Sequence, residues 1–255
     1  MADLLALYDH DERFAATAPD LRREELPDLV RHVDLIGHTG TIIYSQLSTE
    51  TADAAIKDQI AYFGSLGQDL EWKAYAHDTP ADLIDRLISH GFSIDETETI
   101  MVVDLRYPPP IAQLATPSLV VKRLQRSDDL GDVASIRRRV DGEDRLDLVN
   151  RLAHEMTHDP DCISIYVAYV DETPAACGWI RFPGARAFAS LWGGSTMPEL
   201  RRRGLYTALL TARLREANDR GVRYVTVDAR STSRPILEKH GFQVLTHATA
   251  CIWTR

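Results

Sequence analysis

Apolar positions in the second half of the chain recur with two different periods. Leu205, Leu209 and Ala212 lie on one helical track and Leu210, Leu214 and Ala217 on the next. The spacing predicts an amphipathic helix over about Gly204–Arg220, stopped by Gly221. Before it come short β-branched and aromatic runs. Cys162–Val170, Ala175–Phe182 and Ala187–Ser195 read as three strands joined by turns at Asp171-Glu172-Thr173 and Pro183-Gly184, which is an antiparallel meander. Ahead of the meander, Ser118–Leu124 reads as a strand. Two helices follow, one capped at Ser127-Asp128-Asp129 and running to about Val140, the other from about Asp144 to His158 before Pro160. After the long helix come a strand at Val222–Ala229, a short helix from Ser233 to about His240 and a strand at Gln243–Trp253. The predicted order is β-α-α-β-β-β-α-β-α-β.

The first half repeats the end of that order. It has a strand at Thr41–Leu47, a helix at Thr51–Leu66, a strand at Leu70–Ala76, a helix at Pro80–His90 and a strand at Thr97–Leu105. Leu87-Ile88-Ser89-His90-Gly91-Phe92 returns as Leu237-Glu238-Lys239-His240-Gly241-Phe242, 150 positions later and between the same kinds of element. This is the pattern of a diverged duplication. Pro108-Pro109-Pro110 cannot continue a helix or a central strand. The chain therefore divides into 1–107, a stiff linker at 108–117, and 118–255.

Composition narrows the function class. With 255 residues and 44% apolar side chains the chain can fill real cores. A net charge of −9 argues against a general nucleic-acid binder. No run of eighteen apolar residues is present. MADLLALYDHDERF is acidic where a secretory leader is basic. Three scattered cysteines, Cys162, Cys177 and Cys251, suit reduced thiols. The expectation is a cytoplasmic protein without nucleic-acid or membrane partners, as a monomer or homodimer.

The strongest chemical signal is Leu191–Leu210, LWGGSTMPELRRRGLYTALL. A helix start presents unpaired N–H groups and the positive end of the macrodipole. Gly204 lets an anion approach closely, and Arg201, Arg202 and Arg203 add permanent charge. A diphosphate suits that place. Gly193-Gly194 inside a strand predicts a bulge that frees backbone groups. Here the chain resembles the GNAT superfamily of acyl-CoA-dependent acyltransferases, whose motif Arg/Gln-x-x-Gly-x-Gly/Ala falls on Arg201, Gly204 and Tyr206. Tyr206 departs from the small residue of the pattern. The Gly-Phe that follows later in the superfamily matches Gly241-Phe242, and the resemblance covers about 118–255.

The resemblance implies an α+β fold: a central mixed, mostly antiparallel sheet flanked by helices. It also implies an acetyl group carried by acetyl-CoA to a primary amine of a small molecule, without a metal. The cofactor set it implies is Gly194, Ser195, Thr196, Arg201, Arg202, Arg203, Gly204, Leu205, Tyr206 and Thr207, with backbone N–H groups of 194–196 polarising the thioester. Residues 35–106 resemble only the second half of the same fold. Ser48-Thr49-Glu50-Thr51-Ala52-Asp53 stands where the motif would be, with two acids and no glycine, so that half is expected to be cofactor-free. Many family members place a tyrosine acid four residues before the Gly of Gly-Phe; here that position is Leu237. Tyr206 and Ser233 are the nearest hydroxyls by topology. Asp228, at a strand end, is the first choice of base, against the plainer reading of a turn carboxylate paired with Arg230. The missing tyrosine keeps a second function open, a non-catalytic acyl-CoA sensor or interaction module.

His154-Glu155-Met156-Thr157-His158 spells the zinc-protease pattern H-E-x-x-H. Leu148, Val149, Leu152 and Met156 define the buried stripe of that helix, which turns both histidines toward solvent, and no third ligand stands at a suitable spacing. Both histidines are expected to be surface. Trp179 and Trp192, both on strands, are expected in the core, and Cys177 as a small buried residue.

Overall fold

The computed structural model describes residues 1–107, 119–184 and 187–255. The linker expected at 108–117 lies outside the described residues. The helices are α1 (Ala2–Tyr8), α2 (Ala52–Leu66), α3 (Leu83–Ser89), α4 (Gly131–Asp141), α5 (Leu146–His158), α6 (Leu205–Asp219) and α7 (Arg234–Lys239). The strands of the first half are β1 (Leu21–Glu25), β2 (Leu29–Asp34), β3 (Thr39–Ser45), β4 (Asp69–Tyr75), β5 (Ser93–Ile94) and β6 (Glu98–Asp104). Those of the second are β7 (Leu119–Arg123), β8 (Ile163–Val170), β9 (Thr173–Arg181), β10 (Phe188–Thr196), β11 (Tyr224–Ala229) and β12 (Gln243–Trp253). From β7 onward the order is the one the pattern predicts. Strand pairing is mixed and mostly antiparallel.

Two compact units emerge. The first joins Met1–Met101 to Ala229–Arg234 and Val244–Arg255; the second joins Val102–Asp228 to Pro235–Gln243. In the first, β1, β2 and β3 are antiparallel neighbours, and β3 pairs in parallel with β4 from Thr39↔Asp69 to Ile42↔Trp72. A parallel pair needs a crossover, and α2 supplies it. Gly40 lets α2 settle on β3, since a Cβ there would lie 1.8 Å from the Phe63 ring. β12 adds antiparallel to β4, Ala248↔Tyr75 through Trp253↔Leu70. This ladder is why the last strand of the chain clusters with the first unit.

The first unit also holds elements that the hydrophobic pattern does not announce. α1 runs into a π-helical turn at Asp9–Phe14, and β1 reads Leu-Arg-Arg-Glu-Glu. A short charged strand at a sheet edge discourages pairing with other chains but carries no alternation to read.

In the second unit, β7, β8, β9 and β10 form the antiparallel meander, and β10 pairs in parallel with β11 around α6. Val133, Ile136 and Leu152 of α4 and α5 pack on Ile165, Val167 and Cys177. The alternate residues of β8, Ser164 and Tyr166, donate to Glu216 of α6 at 2.8 and 2.6 Å. This period of two places α4 and α5 on one face of the meander and α6 on the other.

The two Leu-to-Phe repeats fold alike. The Gly91 and Gly241 backbones are left-handed, φ 90° and 79°. Phe92 N–H reaches Leu87 O and Phe242 N–H reaches Leu237 O, each at 3.1 Å. Both are the 6→1 bond of a Schellman stop, which needs glycine at the left-handed position. Leu87 and Leu237 are both 0% exposed.

Candidate active site

The parallel ladder between β10 and β11 begins at Phe188↔Tyr224 and ends at Leu191↔Val227, although β10 runs on to Thr196. On its other edge, β10 pairs with β9 at Trp192↔Trp179 and resumes at Ser195↔Cys177. Three steps on one strand against two on the other make a bulge at Gly193-Gly194. Gly193 adopts φ 62°, and a Cβ there would lie 1.9 Å from the Trp179 ring. Beyond Leu191, among the described strand pairings, β10 is held only by its β9 edge. Backbone groups on the other edge are left for water or a ligand.

Below the bulge the chain turns through Pro198–Leu200 into Arg201–Gly204. Arg202 and Gly204 are both left-handed, φ 63° and 80°. A non-glycine residue in that region is uncommon, and alternating handedness aims successive N–H groups into one concavity. The first bond of α6 runs from Ala208 N–H to Gly204 O at 2.9 Å. The N–H groups of Leu205, Tyr206 and Thr207 come before it and have no helical acceptor. No acid stands in the first turn of α6. Arg201, Arg202 and Arg203 are exposed, and Arg201 Nε donates to Thr196 O at 3.3 Å, tying the turn to the end of β10.

Ser195 is buried beside the bulge, where its Oγ accepts from Arg137 of α4 at 2.5 Å. Gly194 is exposed, with the Tyr206 ring 3.0 Å from where its Cβ would be. Burial pushes the Tyr206 hydroxyl above its ordinary pKa, and the charge of Arg213 works against that. The bulge, the arginine turn and Tyr206 thus share one unit and one end of β10.

The other sequence candidates are placed differently. Asp228 is half-buried at the end of β11. Arg230, its suggested partner, lies beside Glu98, Nε to Oε1 3.8 Å. Ser233 falls in the first unit, where its Oγ donates to Arg230 O at 3.2 Å. Leu237 is an apolar core residue with no proton to offer.

The H-E-x-x-H pattern does not assemble a metal site. Glu155 is buried and accepts from both Arg181 Nε and Nη2, at 2.9 and 2.6 Å. A buried carboxylate needs such a partner. His154 and His158 stack on each other with ring centroids 4.0 Å apart. Among the described residues no group of three or more His, Cys, Asp or Glu could hold a metal ion. No described helix is long and apolar enough to cross a membrane.

Two tryptophans separate. Trp179 is core, as expected. Trp192 is 41% exposed, against expectation, and lies beside Arg181, whose Cζ is 5.3 Å from the ring centroid. Cys177 is buried, which pushes its thiol up to about 12 and makes it a poor nucleophile.

The sequence reading missed Arg213. It stands in the Leu209–Leu214–Ala217 stripe of α6 and is 1% exposed. A lone charged residue on an apolar helix face is the signal that would have found it.

The comparisons agree with this geometry. Residues 130–242 match the model of the acetyltransferase (GNAT) family. A GCN5-related N-acetyltransferase from Kribbella flavida is similar with TM-score 0.73 and 14% identity, over 100% of this chain and 95% of that one. A functionally unknown conserved protein from Staphylococcus epidermidis is similar with TM-score 0.68 and 14% identity, over 94% and 96%. A tandem GNAT protein from the clavulanic acid biosynthesis pathway is similar with TM-score 0.68 and 11% identity, over 98% and 92%. A search of curated proteins finds no match. The likeness to solved structures shows the fold, and over residues 130–242 the chain matches the GNAT family model.

Proposed function

We propose that the chain is an N-acetyltransferase that moves an acetyl group from acetyl-CoA to a primary amine of a small molecule. One observation carries the reading. The acid-free start of α6, opened by left-handed Arg202 and Gly204, lies at the end of the strand whose parallel ladder stops early. The residues suit a diphosphate: N–H donors of Leu205, Tyr206 and Thr207, a close approach at Gly204, and charge from Arg201, Arg202 and Arg203. The pantetheine arm then follows the unpaired edge of β10, toward N–H groups of Gly194, Ser195 and Thr196.

Acetyl-CoA supplies an activated acyl group. The amine nitrogen bonds to the carbonyl carbon, the carbon–sulfur bond breaks with its electron pair on sulfur, and the amine proton leaves. Backbone donors at the bulge polarise the carbonyl. Asp228 at the end of β11 is the base in this reading. Tyr206, packed on Gly194, is better placed than Ser233 to protonate the departing sulfur, since it belongs to the unit that holds the bulge. Isothermal titration of the full chain with coenzyme A and acetyl-CoA at low salt tests the binding. A primary-amine panel followed by thiol release tests transfer. Absence of binding ends the proposal.

A second reading, a non-catalytic acyl-CoA sensor, is favoured by one feature, the buried Leu237 at the usual tyrosine position. Binding without thiol release across the panel would select it.

A further inference from the structure

We propose that Arg213 is a positioning residue of the acyl-transfer centre: from beneath the meander it pins the β10 bulge and sets a positive field where sulfur and oxygen gain negative charge. The inference rests on the acyltransferase reading above.

Arg213 Nη1 donates to Trp179 O at 3.3 Å and to Trp192 O at 3.4 Å, and Nε donates to Leu209 O at 3.1 Å. Trp179 and Trp192 are the cross-strand pair immediately before the bulge. A guanidinium that bridges both carbonyls fixes the point from which Gly193-Gly194 depart. β9 makes room for it at Gly178, where a Cβ would lie 2.9 Å from Nη1 and 3.1 Å from Cζ.

Among the described residues Arg213 forms no ion pair. The groups that attract its charge are Tyr206, Cys177 and Tyr166, none of them a carboxylate. Burial pulls its pKa down, as an uncompensated cation requires. Leucine on this stripe would be the cheaper packing choice, because a desolvated charge without a partner opposes folding. Such a charge, itself buried from water, is useful beside a place where an anion forms only transiently. The bulge of β10 is that place. Tyr206 stands on the same face of α6, seven residues before Arg213, with its ring on Gly194. With leucine at 237, the leaving sulfur lacks the tyrosine that many family members place there. A fixed charge under the bulge lets sulfur depart as thiolate, or makes Tyr206 a better acid.

The test uses the full chain with coenzyme A as probe, reading the pKa of its bound thiol by ultraviolet absorbance of the thiolate. Bound to the native chain, the thiol is expected at least about one pH unit below the ordinary value near 8.5. Arg213→Met is expected to return it toward that value, while affinity for coenzyme A changes less than about threefold, because the diphosphate is held elsewhere. Arg213→Lys should keep most of the shift. Should the Met variant not fold, Arg213→Gln, which keeps a donor and loses the charge, is read in its place. A native-chain thiol at or above its free value overturns the proposal, as does a folded neutral variant with an unchanged thiol. A purely structural role predicts lowered melting temperature with the thiol unmoved. No binding of coenzyme A to the native chain removes the acyltransferase reading itself, and this inference with it.

Discussion

The chain contains two strand–helix–strand units of the same design, β3–α2–β4 and β10–α6–β11, and they treat the opening between their strands in opposite ways. In each, a parallel ladder stops before the strands do, at Ile42↔Trp72 in the first and Leu191↔Val227 in the second. In the first, the chain fills the opening itself. Arg13, from the π-helical turn after α1, is 0% exposed, and its Nε donates to Ile43 O at 3.2 Å. Its other nitrogens meet Asp9 at 2.7 Å and Asp78 at 2.6 Å, and its Cζ lies 3.8 Å from the Tyr75 ring centroid. The first turn of α2 carries Asp53, bound by Arg86 at 2.6 Å and His90 at 2.9 Å. In the second unit the corresponding helix start has arginines ahead of it and no acid in it, and its buried arginine has no counter-ion among the described residues. One backbone device thus serves two ends. A plugged opening is a structural joint; the other is where the proposed function puts the diphosphate.

The largest expected effect comes from removing the plug. Arg13→Met leaves Asp78 buried without its cation and should cost about 3–5 kcal/mol in urea denaturation. A loss below about 1 kcal/mol would mean that the opening in the first unit is not held by this residue. Next is the cradle. Arg201→Ala with Arg202→Ala should weaken coenzyme A binding by about 1.5–3 kcal/mol in titration calorimetry and leave stability nearly unchanged. The same titrations should give one site per chain; a second site would erase the contrast between the two helix starts.

The smallest effect concerns pH. Burial works to raise the pKa of Asp9, but hydrogen bonds from His77 and Arg13 outweigh it and hold the carboxyl below its ordinary value of 3.8. Its stabilisation is therefore complete above that value and is lost as pH falls through the lower folded value. Asp9→Asn should flatten the acid limb of the stability curve by no more than about 1 kcal/mol. Denaturation series on either side of 3.8 would show it, and a variant that keeps the native limb would count against this assignment.

Much of the second unit was legible because its signals are local. Helix period, β-branched runs and the Gly193-Gly194 pair are written in neighbouring residues, as is the arginine run before Gly204. The Leu-to-Phe repeat was legible too, and both copies close with the same glycine-dependent stop. α1, the π-helical turn and β1 were not, since seven residues make a weak helix signal and a charged edge strand lacks alternation. The pairing of buried Glu155 with Arg181 was not legible either, because the two stand 26 residues apart on different elements. Trp192 was read as core from its place on a strand, yet it stands 41% exposed just before the bulge.

The amino-acid sequence alone determined the order of elements from β7 onward, the duplication, the single basic helix start and the absence of a tyrosine at 237. Tertiary structure alone decided which opening is plugged. Arg13 reaches β3 and Asp78 from positions distant in the chain, and Arg213 meets the carbonyls of two strands that pair only when folded. Propensity and motif spacing act between neighbours, whereas the fate of a buried charge depends on whatever folding brings beside it.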